Sequence, residues 1–222
     1  GPQATQVFYQ YVLDRTEASC DQEHLPALIL SDTGVPDRTA SILTGNTEPM
    51  YQRLLADARL LEECGCTVIA IPCNTSHYFA DRLPGDIAIP LIHMPRETVG
   101  VLAADGKKRA GILATDGTVQ TGIYQRECAA RGMEGVTPPA DVQKLVMSII
   151  YDEIKRGEKG SREKFAAIDR WLRASGCDAA ILGCTELSVY RTYHGLPDYY
   201  LDAMEILAER CITACGYRLR MV

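Results

Sequence analysis

The sequence predicts an α/β protein of two pseudo-symmetric lobes, each a mainly parallel sheet flanked by helices, with the active site in the cleft between them. Apolar strand segments alternate with helical segments of ten or more residues, which is the pattern of parallel sheets covered by helices. The segments at residues 67–71 and 179–182 are continuously apolar, as is typical of strands buried on both faces. We expect one lobe to comprise residues 1–94 and 203–222, and the other residues 95–202.

Helical and extended patterns alternate in the first half of the chain. Apolar residues at helical spacing predict helices over residues 3–15 and 48–63, and Gly65 marks the end of the second helix. A polar loop with glycine and proline spans residues 32–39. Short apolar runs predict three strands, at residues 26–31, 67–71 and 88–93.

The second half repeats this alternation. An apolar strand is predicted at residues 109–114 and another at residues 179–182. The predicted helices all have apolar residues at helical spacing, and they cover residues 95–104, 119–131, 139–156, 161–174 and 203–214. No low-complexity linker separates the two halves.

Composition excludes several classes of function. The 222 residues are 46% hydrophobic with a formal net charge of −6, and no basic cluster offers a surface for nucleic acid. Apolar runs are too short to span a bilayer, so we expect a soluble, cytoplasmic protein that does not bind membranes. Nine cysteines, an odd number at irregular spacing, indicate reduced thiols rather than disulfides. The Cys64 and Cys66 pair has no matching half at zinc spacing, so no metal site is predicted.

Two of the cysteines lie in a repeated pattern. Cys73 and Cys184 each follow a helix, a Gly-Cys pair and an apolar strand, and each begins a polar loop at the strand's carboxyl end. Such loops bind ligands in α/β proteins, and a helix N-terminus there favours the thiolate. The alternative is that both are small buried residues at strand ends. If the lobes face each other, however, the two thiols lie on opposite sides of a ligand. A reaction that removes a proton from one face of a carbon and returns one to the other face requires this arrangement.

Four motifs resemble the aspartate/glutamate racemase superfamily, and within it the aspartate racemase branch. They are Gly1-Pro2-Gln-Ala-Thr5, Val35-Pro-Asp37-Arg38-Thr39, Pro72-Cys73-Asn-Thr75 and Gly183-Cys184-Thr-Glu186. The resemblance implies an amino-acid racemase that is independent of pyridoxal phosphate, needs no cofactor or metal, takes a small amino acid as its only ligand and forms a homodimer. It also implies that a strand and a Gly-rich turn precede Gly1. Glutamate racemases carry His where this chain has Glu186, so the aspartate branch fits better.

The resemblance also implies roles for individual residues. Cys73 and Cys184 are the catalytic acid and base. Seven further residues are implied to bind substrate, namely Arg38, Asn74, Thr75, Thr115, Lys155, Thr185 and Glu186. Among them, Arg38 is expected to bind a side-chain carboxylate, since a guanidinium matches a carboxylate bidentately. Without the resemblance, Arg38 could be a solvated loop residue and Lys155 could complement a helix dipole.

Aspartate is therefore the expected substrate. The open alternatives are a broad-specificity racemase acting on glutamate or other polar amino acids, a related lyase or isomerase, and a non-catalytic amino-acid-binding domain. Three histidines, His77, His93 and His194, are interpreted as structural because none is repeated in the other half.

Overall fold

The computed structural model describes residues 1–220 and contains a four-stranded parallel sheet flanked by helices. The strands are β1 (Arg109–Leu113), β2 (Glu134–Val136), β3 (Ala179–Leu182) and β4 (Tyr200–Asp202). Their order in the sheet is β2-β1-β3-β4, and every pair is parallel. The chain passes from β1 to β2 on one side of β1, whereas β3 and β4 lie on its other side. The strand order therefore changes direction between β1 and β3, and the carboxyl ends of these two central strands form the crevice where such sheets bind ligands.

Among residues 1–220, ten α-helices surround this sheet and extend beyond it. They are α1 (Pro2–Arg15), α2 (Arg38–Thr44), α3 (Glu48–Glu63), α4 (Met94–Ala104), α5 (Asp116–Thr121), α6 (Ile123–Ala129), α7 (Ala140–Met147), α8 (Arg162–Ala174), α9 (Thr185–His194) and α10 (Ala203–Ala214). Shorter turns follow Cys73 and α7, and they are described with the site.

Each face of the sheet carries its own core, because successive side chains of a strand point to opposite faces. On one face Leu113 and Leu182 pack against Val146, Phe165 and Leu172 from α7 and α8. The opposite face carries α4, α6 and α10. There Ile112 and Ile181 contact a set of buried residues that includes Met94, Leu102, Tyr124 and Leu207. The continuously apolar strand patterns are thus explained, since both faces are covered.

The first half of the chain builds a separate core around α3. Met50, Tyr51, Leu54 and Leu55 of this helix pack against apolar residues of the segment between α3 and α4, among them Ile69, Phe79 and Leu83. The polar side of α3 stays in water. Segment 67–72 crosses this core and carries Cys73 at its end.

The three strands predicted in this half differ from what the structure contains. Segment 26–31 has no regular structure and no strand partner, and its residues Leu28, Ile29 and Leu30 are exposed. Segments 67–71 and 88–93 meet only at one isolated parallel bridge, Ile69 with Leu91. Segments 28–33 and 69–73 line a groove of about 340 Å³ together, so a cavity lies between them where a strand ladder would need direct backbone hydrogen bonds.

Most predicted helices agree with the structure within one residue, and two are broken. The helix expected at residues 119–131 is interrupted at Gly122, whose φ of 66° lies in the left-handed region. The helix expected at residues 139–156 ends at Met147 and continues as a π-helical turn, Ser148–Glu153, then a 3-10 turn, Ile154–Arg156. No helix among residues 1–220 is long and apolar enough to cross a membrane.

Candidate active site

All nine residues expected at the site line one small cavity of about 20 Å³. Cys73, Asn74 and Thr75 approach it from the first half of the chain. Thr115 and Thr185 approach it from the carboxyl ends of β1 and β3. The other four that line it are Arg38, Lys155, Cys184 and Glu186. What the structure adds to the expected set is Gly1, Thr39 and Tyr151. The role of each residue stays a prediction, but the chain brings the whole set together.

Cys184 is held at the N-terminus of α9 with its proton directed at a carboxylate. It is the N-cap residue, with extended backbone angles, and it is buried. Its Sγ lies 2.9 Å from Oε2 of Glu186, whose Oε2 also accepts from the Thr185 hydroxyl at 3.3 Å. Burial first, and then the charge of Glu186, raise the pKa of the Cys184 thiol well above its ordinary value. At neutral pH Cys184 is therefore a thiol.

Cys73 has the opposite kind of neighbour. The Arg38 guanidinium lies beside its sulfur and also donates to the carbonyl oxygens of Val35 and Pro36, at 3.2 and 3.3 Å. Burial of the guanidinium lowers the pKa of Arg38, but the negative groups around it, Cys73, Asp37 and Glu186, together outweigh burial and leave that pKa above its ordinary value. Cys73 thus faces a cation whereas Cys184 faces a carboxylate, so the environments of the two cysteines are electrostatically different.

Lys155 supplies a second cation at the cavity. Its Nζ lies 3.7 Å from the centroid of the Tyr151 ring and 3.8 Å from Oδ2 of Asp37. The Tyr151 hydroxyl donates to the same Asp37 carboxylate at 3.2 Å. Asp37 in turn caps α2 by accepting from the Ala40 N–H at 2.8 Å, so it fixes the start of the helix that carries Arg38. The π-helical turn after α7 places Tyr151 at the site, and the 3-10 turn that follows it places Lys155 there.

Three buried threonines form a closed triangle of hydroxyls beside the cavity. Thr75 Oγ1 lies 3.2 Å from Thr115 Oγ1 and 2.8 Å from Thr118 Oγ1, and the last two are 3.2 Å apart. Thr75 follows Cys73, whereas Thr115 caps α5 after β1. The triangle therefore joins the loop of one cysteine to the sheet that carries the other, and it presents rotatable O–H donors to a ligand.

His77 fixes the backbone of the Cys73 loop. Its Nδ1 lies 2.9 Å from the Cys73 carbonyl oxygen, and its Nε2 accepts from the Met94 N–H at 3.1 Å. A carbonyl can only accept and an amide N–H can only donate, so the ring is neutral with its proton on Nδ1. Burial lowers the pKa of His77 to about 4. The imidazole thereby ties the cysteine loop to the first turn of α4.

His77 should make the stability of the fold depend on pH. Its pKa is about 4 in the folded state and about 6.5 when unfolded, so in that interval the unfolded chain binds a proton that the folded chain does not. The contribution is complete above pH 6.5 and is lost as the pH falls towards 4, by up to roughly 3 kcal/mol. Urea unfolding of wild type and His77→Gln between pH 4.5 and 7 should show a flatter pH dependence for the variant.

Glutamine is suited to this comparison because its amide also offers one donor and one acceptor, without titrating. His194→Gln is the matched control for the loss of an imidazole, since His194 is half-buried outside the cavity. Equal slopes for wild type and His77→Gln would contradict the assignment of this titration to His77.

Two further residues contact side chains of the site without lining the cavity, and they were not predicted from the sequence. Thr118 completes the hydroxyl triangle, and Tyr124 of α6 donates a hydrogen bond to Asn74 Oδ1. Only Thr118 gave a sequence signal, because it stands three residues after Thr115 in a polar loop, the spacing of a helix cap. Among residues 1–220, no three His, Cys, Asp or Glu side chains form a potential metal-binding group.

One protein family and several solved structures are similar to this chain. A family model described as Asp/Glu/Hydantoin racemase matches residues 1–211. The structure of Picrophilus torridus aspartate racemase matches with a TM-score of 0.85 and 28% identity, covering 99% of this chain and 92% of that chain. An aspartate racemase homologue from Pyrococcus horikoshii OT3 has a TM-score of 0.77 at 21% identity, covering 97% and 95%. The predicted α/β fold class with two lobes is confirmed by these neighbours.

A broad-specificity amino-acid racemase, RacX of Bacillus subtilis (strain 168), is 29% identical over 141 residues. The match covers 60% of this chain and 59% of that protein. The chain thus matches somewhat less than two thirds of the length of this relative.

Proposed function

Because the chain belongs to the Asp/Glu/hydantoin racemase family, we propose that it racemises a free amino acid by proton transfer at the α-carbon, with Cys73 and Cys184 as the two bases. The observation that carries the proposal is that both thiols line the same cavity, one from each half of the chain. Their different charged neighbours supply the second requirement, which is one thiolate and one thiol at the same pH.

The free enzyme is then poised in one protonation state. In this proposal Cys73, beside the Arg38 cation, acts first as the base, and Cys184, whose proton faces Glu186, acts as the acid. The Cys73 thiolate takes the α-proton from one face, the bonding electrons stay on the α-carbon, and Cys184 delivers its proton to the opposite face. The product leaves with the roles exchanged. Lys155, which lies near Cys184 and Glu186, partly offsets the negative charge that Cys184 then carries.

The substrate's α-carboxylate and its side chain would bind to different parts of the site. Its α-carboxylate is assigned to the donors of Asn74, Thr75 and Thr115, which line the cavity together. The 20 Å³ between the thiols holds about one water molecule, so the amino-acid side chain extends into an adjoining cavity of about 240 Å³. That cavity is lined by Arg38 and Lys155, and two cations around one chamber favour aspartate.

A broad-specificity racemase is the second candidate, and the same chamber favours it. Lys155 is already paired with Asp37, and Glu186 adds negative charge to the wall that Arg38 and Lys155 line. A chamber of about 240 Å³ also leaves room for side chains longer than that of aspartate. The similarity to the broad-specificity racemase of Bacillus subtilis supports this candidate.

Solvent isotope exchange tests the proposal. Dialysed protein in deuterium oxide is incubated with a panel of L-amino acids without added cofactor, and α-hydrogen loss and optical rotation are followed together. With L-aspartate we expect the D-product to carry deuterium while the remaining L-substrate keeps its proton at early times, because different thiols act on the two faces. Comparable rates with glutamate or longer side chains would favour broad specificity.

The negative outcomes are equally specific. Absence of exchange with every amino acid of the panel would rule out racemisation. Thermal stabilisation by an amino acid without exchange would instead indicate a binding domain. Exchange that appears equally in remaining substrate and product from the start would contradict the assignment of one thiol to each face.

A further inference from the structure

A single buried side chain contacts the residues adjacent to both cysteines. Tyr124, in α6, is fully buried, and its hydroxyl donates to Oδ1 of Asn74, the residue after Cys73. Its ring packs against Gly183, the residue before Cys184. A Cβ added at Gly183 would lie 3.2 Å from a ring carbon of Tyr124 and 3.1 Å from the Leu113 carbonyl oxygen. A glycine at this position therefore allows the ring to approach the second cysteine loop.

The Asn74 amide is satisfied at one end only. Asn74 is 3% exposed, and its Nδ2 has no hydrogen-bond partner among residues 1–220. A buried amide donor without an acceptor costs free energy, and such groups in native proteins call for an explanation. Asn74 lines the cavity that contains both thiols, whereas Tyr124 does not. The oxygen end of the amide is thus turned towards Tyr124, and the NH2 end is the unpaired one.

We propose that Tyr124 is a positioning residue, which holds the Asn74 amide so that its N–H donors face the carboxylate of the substrate. This inference rests on the proposed function, since it assumes a carboxylate ligand in the cavity. The two ends of an amide have nearly the same shape, so without the Tyr124 hydroxyl the amide can turn and present its oxygen. An oxygen lone pair facing a carboxylate repels it. Burial raises the pKa of Tyr124 well above its usual value, so the phenol keeps its proton.

Tyr124→Phe separates this role from packing, because it removes only the hydroxyl. Binding of L-aspartate is measured by calorimetry, and racemisation by optical rotation. We expect Kd and KM to rise about ten-fold while kcat changes less than about three-fold, the signature of lost ground-state binding. The control is Tyr200→Phe, which removes the hydroxyl of another buried tyrosine, bonded to Asp169 away from the cavity. It should leave KM and Kd as in wild type.

A double-mutant cycle shows whether Tyr124 acts through Asn74. In an Asn74→Ala background, Tyr124→Phe should change KM less than about two-fold, because the group that Tyr124 positions is gone. An unreduced ten-fold effect in that background would overturn the inference. Unchanged Kd and KM in Tyr124→Phe alone would overturn it as well.

Asn74→Asp tests the same amide donor and leaves Tyr124 intact. It therefore tests the inference even if Tyr124→Phe does not fold. It keeps an oxygen for the Tyr124 hydroxyl and loses both amide hydrogens, so L-aspartate binding should weaken at least ten-fold. Wild-type affinity in this variant counts against the inference. Wild-type protein that binds L-aspartate without racemising it defeats the proposed function alone, and protein that does neither defeats both.

Discussion

Replacing Cys73 or Cys184 by alanine is expected to reduce racemisation by roughly 10²- to 10⁴-fold, the full contribution of a positioned acid or base. Each variant should nevertheless retain half of the chemistry. The cysteine that remains can, in its thiolate form, still remove the α-proton of the enantiomer whose hydrogen faces it, and it can return a solvent deuteron to the same face. Deuterium exchange should therefore continue in one enantiomer with Cys73→Ala and in the other with Cys184→Ala, without inversion.

Cys211→Ala is the matched control for this experiment. Cys211 is a buried cysteine of α10 that does not line the cavity, and burial raises its pKa to about 12. Its replacement should cost about 1 kcal/mol in stability, as small core truncations do, and leave turnover unchanged. Retention of more than a tenth of wild-type racemisation by either site variant would contradict the two-base assignment. So would exchange of the same enantiomer in both variants.

The position of Cys184 could be predicted because the topology of the sheet fixes it. Parallel strands end at the same edge of a sheet, so a residue just after β1 and one just after β3 must be neighbours. That is why Thr115 and Cys184 lie together. Cys73 was recognised by its repeated pattern, even though the apolar segment before it forms only one bridge with its neighbour.

Residues that act through other side chains could not be predicted in the same way. Tyr124 reaches Asn74 from 50 positions along the chain, and only the packing of α6 against the sheet brings the two together. The sequence pattern of α6 shows an apolar face but not which atom the phenol meets. Tyr151 was missed for a related reason, since a continuous helix was expected where a π-helical turn redirects the side chains.

The local sequence pattern also could not predict which segments of the first half pair as strands. Residues 26–31 are as apolar as β1, and propensity treats them alike. Strand formation needs a partner backbone within about 5 Å, and here the groove lies between segment 28–33 and segment 69–73. Leu28, Ile29 and Leu30 are therefore exposed, although they are hydrophobic.

Arg38→Ala is expected to lower kcat/KM on the order of a hundred-fold near neutral pH. The guanidinium lies beside Cys73, and a cation next to a sulfur favours the thiolate that removes a proton. Without it, Lys155 is the remaining cation among the residues that line this cavity. Arg38→Lys should restore part of the activity, because it keeps the charge but loses the bidentate geometry.

The split between kcat and KM decides between two roles for Arg38. If it assists proton transfer at Cys73, kcat falls in Arg38→Ala and saturating substrate does not restore it. If it only binds the substrate carboxylate, KM rises and kcat is unchanged. Arg53→Ala is the control, since it removes an exposed arginine of α3 paired with Asp32 and should change neither quantity. We expect the fall in kcat, because the guanidinium lies beside the sulfur and its Nη1 is held by the Val35 and Pro36 carbonyl oxygens.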